Sequence, residues 1–176
     1  MTPLPPLTCF KAYDIRGRLG DELNEEIAYR IGRAFAQVMG AKRVVLGRDV
    51  RPTSEALAGA VARGLMAAGV EVLDLGLSGT EETYFATTHL GADGGICVTA
   101  SHNPMDYNGM KMAQAGSAPI GREDGMDAIK ALAESGTFAA ELPGGKVTDA
   151  SGTRAAYVAK LMEFVDISAL TPLKVL

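Results

Sequence analysis

The sequence predicts an α/β protein: a three-layer α/β/α sandwich on a mixed, mostly parallel sheet of about four strands. Three observations lead there. Short apolar runs alternate with segments of helical period along most of the chain. Glycines punctuate the ends of the helical segments, at Gly40, Gly69 and Gly91. Turn-forming and cap-forming residues separate the runs, as expected for strands joined by crossover helices that cover both faces of a parallel sheet.

Thr8 to Tyr13 reads as a first short strand. Asn24 is placed to cap a helix whose Ile27, Ile31, Phe35 and Val38 share one face, with Glu25 and Glu26 in the positive first turn. Val44 to Leu46 is a compact buried strand, Gly47 to Thr53 a loop, and Thr53 or Ser54 a cap for a second helix striped by Leu57, Val61 and Leu65. Val70 to Leu75 is a third strand. Thr80 caps a helix that starts with Glu81 and Glu82, and Ile96 to Thr99 forms a fourth strand. Gly109 to Ala113 is a short extended piece. A helix over about 122–134 turns Met126, Ile129 and Leu132 inward. Phe138 to Asp149 is weakly patterned. A last helix over about 152–165 buries Val158, Leu161 and Val165, and Leu173 to Leu176 resembles the start of a buried strand.

Composition narrows the function. The chain has 176 residues, 47% hydrophobic and 22% charged, with a formal charge of −4. That is too apolar for a disordered chain and too acidic for a module that grips nucleic acid by positive charge. No apolar run approaches the roughly 18 residues of a membrane span. The N-terminus lacks the basic and apolar regions of a secretory signal, and three prolines in its first six residues suggest a frayed leader. Cys9 and Cys97 both fall in strand-like runs. Two thiols make neither a disulfide framework nor a four-ligand zinc site, so they read as reduced, buried groups in a cytoplasmic protein. Residues 1–51 hold nine Lys/Arg against six Asp/Glu. Arg16, Arg18, Arg48 and Arg51 there adjoin glycine or proline, which suggests loops, and a guanidinium fork on a loop matches phosphate oxygens.

The densest chemical signal runs from Thr99 through Ala100, Ser101, His102, Asn103 and Pro104 to Asp106, Asn108, Gly109 and Lys111. It follows a strand, so it lies at the carboxyl end of a sheet, where such folds bind ligands. An acyl-transfer serine would need a base oriented by a third group. His102, next to Ser101, is awkwardly placed for that, and no G-x-S-x-G elbow, Walker loop or dinucleotide fingerprint is present. A serine that accepts a phosphoryl group fits better, because that chemistry rests on positioning and charge neutralisation.

At these residues the sequence resembles the α-D-phosphohexomutases, the family of phosphomannomutase and phosphoglucomutase. Three stretches carry the resemblance: Phe10 to Gly17, Gly47 to Arg51, and Thr99 to Pro104 with Asn108, Gly109 and Lys111. Ser78 to Thr87 and Pro104 to Lys111 look most like the bacterial phosphomannomutase branch. The resemblance implies interconversion of mannose 6-phosphate and mannose 1-phosphate, or of glucose phosphates, through a phosphoserine and a bisphosphorylated hexose that also acts as activator. It implies Ser101, Lys111, Arg16 and His102 as the catalytic set: Ser101 carrying the phosphoryl group, Lys111 handling the proton, Arg16 giving electrostatic support and His102 positioning. It implies Mg2+ on the Ser101 phosphate oxygen. Tyr13, Asn103, Asn108 and Arg48 would bind substrate or shape the loop. Arg48 and Arg51 could serve a phosphate, although local anchoring of Arg48 by Asp49 is the favoured reading. No nucleic-acid or membrane partner is implied.

Family members have four domains, and this sequence resembles the first. The expected division is a flexible leader over 1–7, the phosphoserine-loop domain over 8–150, and its last helix with the start of a link to a second domain over 151–176. The family's Asp-Gly-Asp-x-Asp-Arg metal loop is absent; Asp124 to Asp127 lies in a helical pattern and reads as a solvated helix face. The chain alone is therefore expected to fold, to bind metal weakly and to be catalytically silent. Two alternatives stand beside this reading: a serine hydrolase with Ser101 as acyl carrier, and a non-catalytic module that holds a phosphorylated sugar or protein partner.

Overall fold

The computed structural model describes residues 1–174. One six-stranded sheet runs β1-β5-β4-β2-β3-β6, formed by β1 (Asp14–Arg18), β2 (Arg43–Arg48), β3 (Glu71–Leu77), β4 (Gly94–Val98), β5 (Tyr107–Gln114) and β6 (Lys146–Asp149). Strand β5 pairs antiparallel with both β4 and β1, while the β4-β2-β3-β6 ladder is parallel. The class is as expected, with six strands in place of about four. The two additional strands are the unforeseen β6 and a β5 of eight residues where a short extended piece was expected. Strand β6 (Lys-Val-Thr-Asp) is an exposed edge, so its sequence carries no apolar signal.

Helices α1 (Glu25–Met39), α2 (Ser54–Ala67) and α4 (Asp127–Ser135) cover one face; α3 (Thr80–His89) and α5 (Thr153–Met162) lie on the other. The larger core, under α1, α2 and α4, holds Ile15, Ile31, Phe35, Val44, Val61, Leu65, Ile96 and Met110. A smaller one, with Val45, Leu73, Leu75 and Ala86, lies under α3. Adjacent strand residues such as Val44 and Val45 point to opposite cores, as the two-residue period of a strand dictates. No described helix is long and apolar enough to cross a membrane.

Helix α1 follows its local signals. The Asn24 side chain accepts a hydrogen bond from the Ile27 N–H at 3.0 Å, and Gly40 takes the left-handed conformation that closes the helix. Elsewhere tertiary pairing prevails. Thr8 to Tyr13 is a turn with one isolated bridge at Phe10, and the first strand begins at Asp14. Cys9 is therefore in a turn rather than a strand, although both thiols are buried and free. Thr53 and Gly79 hold the capping positions of α2 and α3 without side-chain caps, so Thr80 is the first helical residue of α3, not its cap. Helix α4 starts at Asp127, after a π-turn over Arg122–Met126 in which the Asp124 carboxylate accepts from the Gly121 N–H. In the leader, the Leu4 and Leu7 N–H groups donate to the main-chain and side-chain oxygens of Glu134 at 2.8 and 2.6 Å, and Leu7 is buried.

The C-terminal helix departs furthest from expectation. Val158, Leu161 and Val165 are between 43% and 48% exposed rather than buried. Helix α5 is held near its N-terminal end, through Tyr157 against Phe85 and Arg154 to Glu82 at 2.9 Å. Leu173 and Lys174 are exposed and not in a strand; Val175 and Leu176, the rest of that expected strand, lie outside the described residues.

Candidate functional site

Two loops meet beyond the carboxyl ends of the parallel strands. One is Asp49 to Thr53, after β2; the other is Thr99 to Asp106, between β4 and β5. The Asp49 N–H donates to the Val98 carbonyl at 2.9 Å, so they leave the sheet side by side.

Ser101 is exposed on the second loop, with φ +53. The left-handed region costs a residue with a Cβ about 1–2 kcal/mol, so the turn around it must supply compensating bonds. The Ser101 N–H donates to Thr99 Oγ1 at 2.9 Å, and both the N–H and the Nδ2 of Asn103 donate to the Ala100 carbonyl at 3.0 Å. The Ser101 hydroxyl lies 3.2 Å from His102 Nδ1, and His102 is exposed as well.

Asp49 braces this loop from the neighbouring one. Its carboxylate accepts from the Ser54 hydroxyl, the Arg51 N–H at 3.0 Å and the Ala100 N–H at 3.3 Å. Burial pushes this carboxyl upward, but hydrogen bonds from Ser54, Arg51, Thr99 and Ala100 outweigh it and hold the group below its ordinary value. The Arg51 guanidinium, with its side chain 11% exposed, donates to main-chain carbonyls of the Ser101 loop and lies 3.9 Å from Asp49. The expected anchoring of Arg48 by Asp49 is thus corrected: Asp49 holds Arg51, while Arg48 pairs with Glu55 at 3.7 Å. Nor are most of these arginines on loops. Arg16 and Arg18 lie on β1 and Arg48 ends β2, because pairing with β5, β3 and β4 makes strands of these charged segments.

The remaining expected residues divide by burial. Arg16 crosses the β1-β5-β4 edge: it donates from Nη1 to the Thr99 carbonyl and from Nη2 to Asp14 at 2.8 Å. Lys111, half-buried on β5, stands opposite Asp14 on one side and Cys97 on the other. Among the described residues its ammonium has no ion pair or side-chain hydrogen bond. Alternation along the strands puts Asp14, Arg16 and Lys111 on the α3 face of the sheet, away from the main core. Tyr13, just before β1, is 76% exposed. Asn108 is fully buried, donating to the hydroxyls of Thr53 and Ser54 at 2.9 and 3.0 Å and accepting from the Gly109 N–H at 2.8 Å. Such an amide shapes the loop and is out of reach of a ligand.

Sequence reasoning passed over Asp49 and Thr99 as site residues. The Asp49-Val50-Arg51 spacing hints at a local turn, but nothing in it reveals that both side chains serve a loop fifty residues away.

The arrangement offers an exposed hydroxyl on a braced loop, an adjacent imidazole, and a guanidinium and an ammonium from neighbouring strands. Comparisons with known proteins point the same way. The family model for phosphoglucomutase/phosphomannomutase, alpha/beta/alpha domain I, matches residues 8–140. A phosphomannomutase of Salmonella typhimurium is 59% identical over 170 residues, covering 96% of this chain and 37% of that protein. A phosphomannomutase of Klebsiella pneumoniae is 64% identical over 132 residues, covering 75% of this chain and 84% of that one. The crystal structure of a phosphoglucomutase/phosphomannomutase family protein from Burkholderia thailandensis superposes with a TM-score of 0.77 at 37% identity, covering 88% of this chain and 35% of that one. The chain thus spans a little over a third of the length of most curated relatives it matches, 37% for the Salmonella protein.

Proposed function

Because the chain belongs to the phosphoglucomutase/phosphomannomutase family, in its bacterial phosphomannomutase branch, we propose that it contributes the phosphoryl-carrying serine of a mutase. The substrates in this reading are mannose 6-phosphate and mannose 1-phosphate, or the corresponding glucose phosphates. In this reading residues 8–150 form the serine-bearing domain, and 151–176 are its last helix and the start of a link.

The observation that carries the reading is Ser101: a solvent-facing hydroxyl on a braced left-handed turn at the carboxyl end of the sheet, whose strands β1 and β5 carry Arg16 and Lys111 on one face. A phosphoryl group on Ser101 Oγ passes to a free hydroxyl of a hexose monophosphate. The new P–O bond forms to the sugar oxygen, the bond to Oγ breaks, and a proton leaves the sugar hydroxyl to a base while one is delivered to Oγ, which departs as the serine hydroxyl. The bisphosphorylated hexose reorients and returns its other phosphoryl group to Ser101. A bisphosphorylated hexose is likewise the reagent that would load the unmodified serine.

Lys111 is the proton-handling group in this scheme, because its amine has no ion pair among the described residues. Arg16 stays charged and supplies electrostatic support. His102, touching the hydroxyl, positions it; Tyr13 lines the approach. Magnesium takes about six oxygen ligands, and the residues here do not make such a site alone. No group of three or more His, Cys, Asp or Glu side chains converges among the described residues, and the Asp49 carboxylate is engaged by its own loops. A Ser101 phosphate oxygen would be one ligand; the others would come from the part of the relatives' length that this chain does not span. The chain alone is accordingly expected to show weak metal affinity and no mutase turnover.

One observation favours a serine hydrolase: the 3.2 Å contact between Ser101 and His102. Among the described residues no carboxylate is bonded to His102 to orient it, which that chemistry needs. Incubation with a hexose bisphosphate followed by peptide mapping tests the proposal, with phosphate expected on Ser101. In a polypeptide of the relatives' full length carrying this domain, Ser101→Ala should abolish exchange between the hexose phosphates. Unchanged exchange, or fluorophosphonate labelling of Ser101, would overturn it.

A further inference from the structure

We propose that Arg51 is the positioning residue that sets Ser101 for reaction, by gathering the main chain of the Ser101 loop onto one guanidinium. The role of Arg51 deepens the reading of Ser101 as phosphoryl carrier and rests on it.

The geometry is specific to a planar fork. Nη1 donates to the Pro104 carbonyl at 2.7 Å and to the Tyr107 carbonyl at 3.2 Å; Nη2 donates to the Ser101 carbonyl at 3.3 Å and to the Asn103 carbonyl. Four acceptors spread over seven residues, from Ser101 to Tyr107, therefore converge on one group, whose Nε lies 3.9 Å from Asp49. Asp49 in turn receives the Ala100 N–H, so the carboxylate and the guanidinium grip the main chain on either side of the Ala100–Ser101 peptide. Both terminal nitrogens point at the loop's own backbone. The guanidinium thus spends its donors on backbone carbonyls rather than on a bound phosphate, and what it supplies is the conformation of the loop, the left-handed Ser101 included.

Shape and charge make different predictions here. A lysine keeps the charge but offers a single point of donors, which cannot span four carbonyls. A residue that neutralised phosphate would tolerate Arg51→Lys; a clamp would not. In the 176-residue chain, Arg51→Lys and Arg51→Ala should both erase the left-handed Cα and Cβ chemical shifts of Ser101. Both should raise amide exchange over Ser101 to Asn108 by about tenfold or more, while amides of α1 and β2 keep their protection. Methylguanidinium at non-denaturing concentration should restore the Ser101 shifts in Arg51→Ala and leave Arg51→Lys unchanged.

The unsubstituted chain gives a measurement that does not depend on a variant folding. Its Arg51 Nη protons should be resolved and slow to rotate, with contacts to Tyr107 and Ser101. A freely rotating Arg51 guanidinium, or an Arg51→Lys chain that keeps the Ser101 shifts, overturns the clamp. Phosphate loading of Ser101 from a hexose bisphosphate separates this from the parent reading. If the loop obeys the clamp but Ser101 of the unsubstituted polypeptide at the relatives' full length never takes phosphate, the carrier role fails and the positioning of the loop stands. If Ser101 loads normally in Arg51→Lys, the clamp fails and the carrier role stands.

Discussion

Gly109 lies directly against the Arg16 guanidinium. A Cβ built on Gly109 would collide with the Ile15 carbonyl and come 2.9 Å from Arg16 Nη1. Only a residue without a side chain lets Arg16 cross the β1-β5 pair and reach the Thr99 carbonyl, just two residues before Ser101. Gly109→Ala should therefore separate the two strands locally and release Arg16 from Thr99. The cost should be about 1–3 kcal/mol, typical of overpacking. Urea unfolding measures it, and loss of the Arg16-to-Thr99 bond would appear as faster rotation of the Arg16 guanidinium. A variant as stable as the parent, with Arg16 still held, would contradict this.

Asn108 joins the start of β5 to the start of α2. Its amide is fully buried and supplies both donors and an acceptor. In Asn108→Leu the Thr53 hydroxyl and the Gly109 N–H lose this partner, while the Ser54 hydroxyl keeps its bond to Asp49. Each buried group left unpaired costs about 1–3 kcal/mol. The expected outcome is a fall in the denaturant midpoint with an unchanged slope, together with weaker protection of the Gly109 amide.

What the sequence disclosed and what it withheld follow from how local each signal is. Helix α1 is legible because its cap, its apolar stripe and its closing glycine all lie within the segment they define. Strand β1 is not, because Asp-Ile-Arg-Gly-Arg contains one apolar residue; Ile15 enters the core while Asp14 and Arg16 face the site. The stripe Val158, Leu161 and Val165 has the right period for a buried helix face, yet period alone does not say what covers it, and in this chain those side chains are exposed. In the candidate site, Ser101, His102 and Lys111 stand out in the sequence because they crowd into one short loop and the strand after it. The pairing of Asp49 with Ala100 depends on β2 and β4 lying side by side, a tertiary fact with no imprint on spacing.

The two thiols should be almost inert in the folded chain. Burial pushes Cys9 up to about 11 from 9.0, and burial likewise raises Cys97. The raised value leaves Cys9 overwhelmingly as the unreactive thiol at neutral pH, before any loss of access is counted. Iodoacetamide at pH 8 should leave both residues unmodified by intact mass, and should label both once denaturant exceeds the unfolding midpoint. Modification of either thiol at the rate of a free cysteine would contradict the burial.

Acid should loosen the Ser101 loop through Asp49. The folded chain holds this carboxyl below its ordinary value of 3.8, so its contribution is fully present above that value. It is lost as pH falls through the lower, folded one. Asp49 therefore gives the loop no pH dependence near neutrality, and the opening it controls begins only below about pH 4. Protonation removes the charge that accepts from the Ala100 and Arg51 N–H groups, so those two amide shifts should titrate together, below the range in which exposed aspartates titrate. Asp49→Asn should abolish that shared titration and leave the Ala100 and Arg51 amides, at pH 7, close to the positions the parent chain reaches in acid. If instead the two amides of the parent moved independently, or moved above pH 5, the carboxylate would not be what joins the two loops.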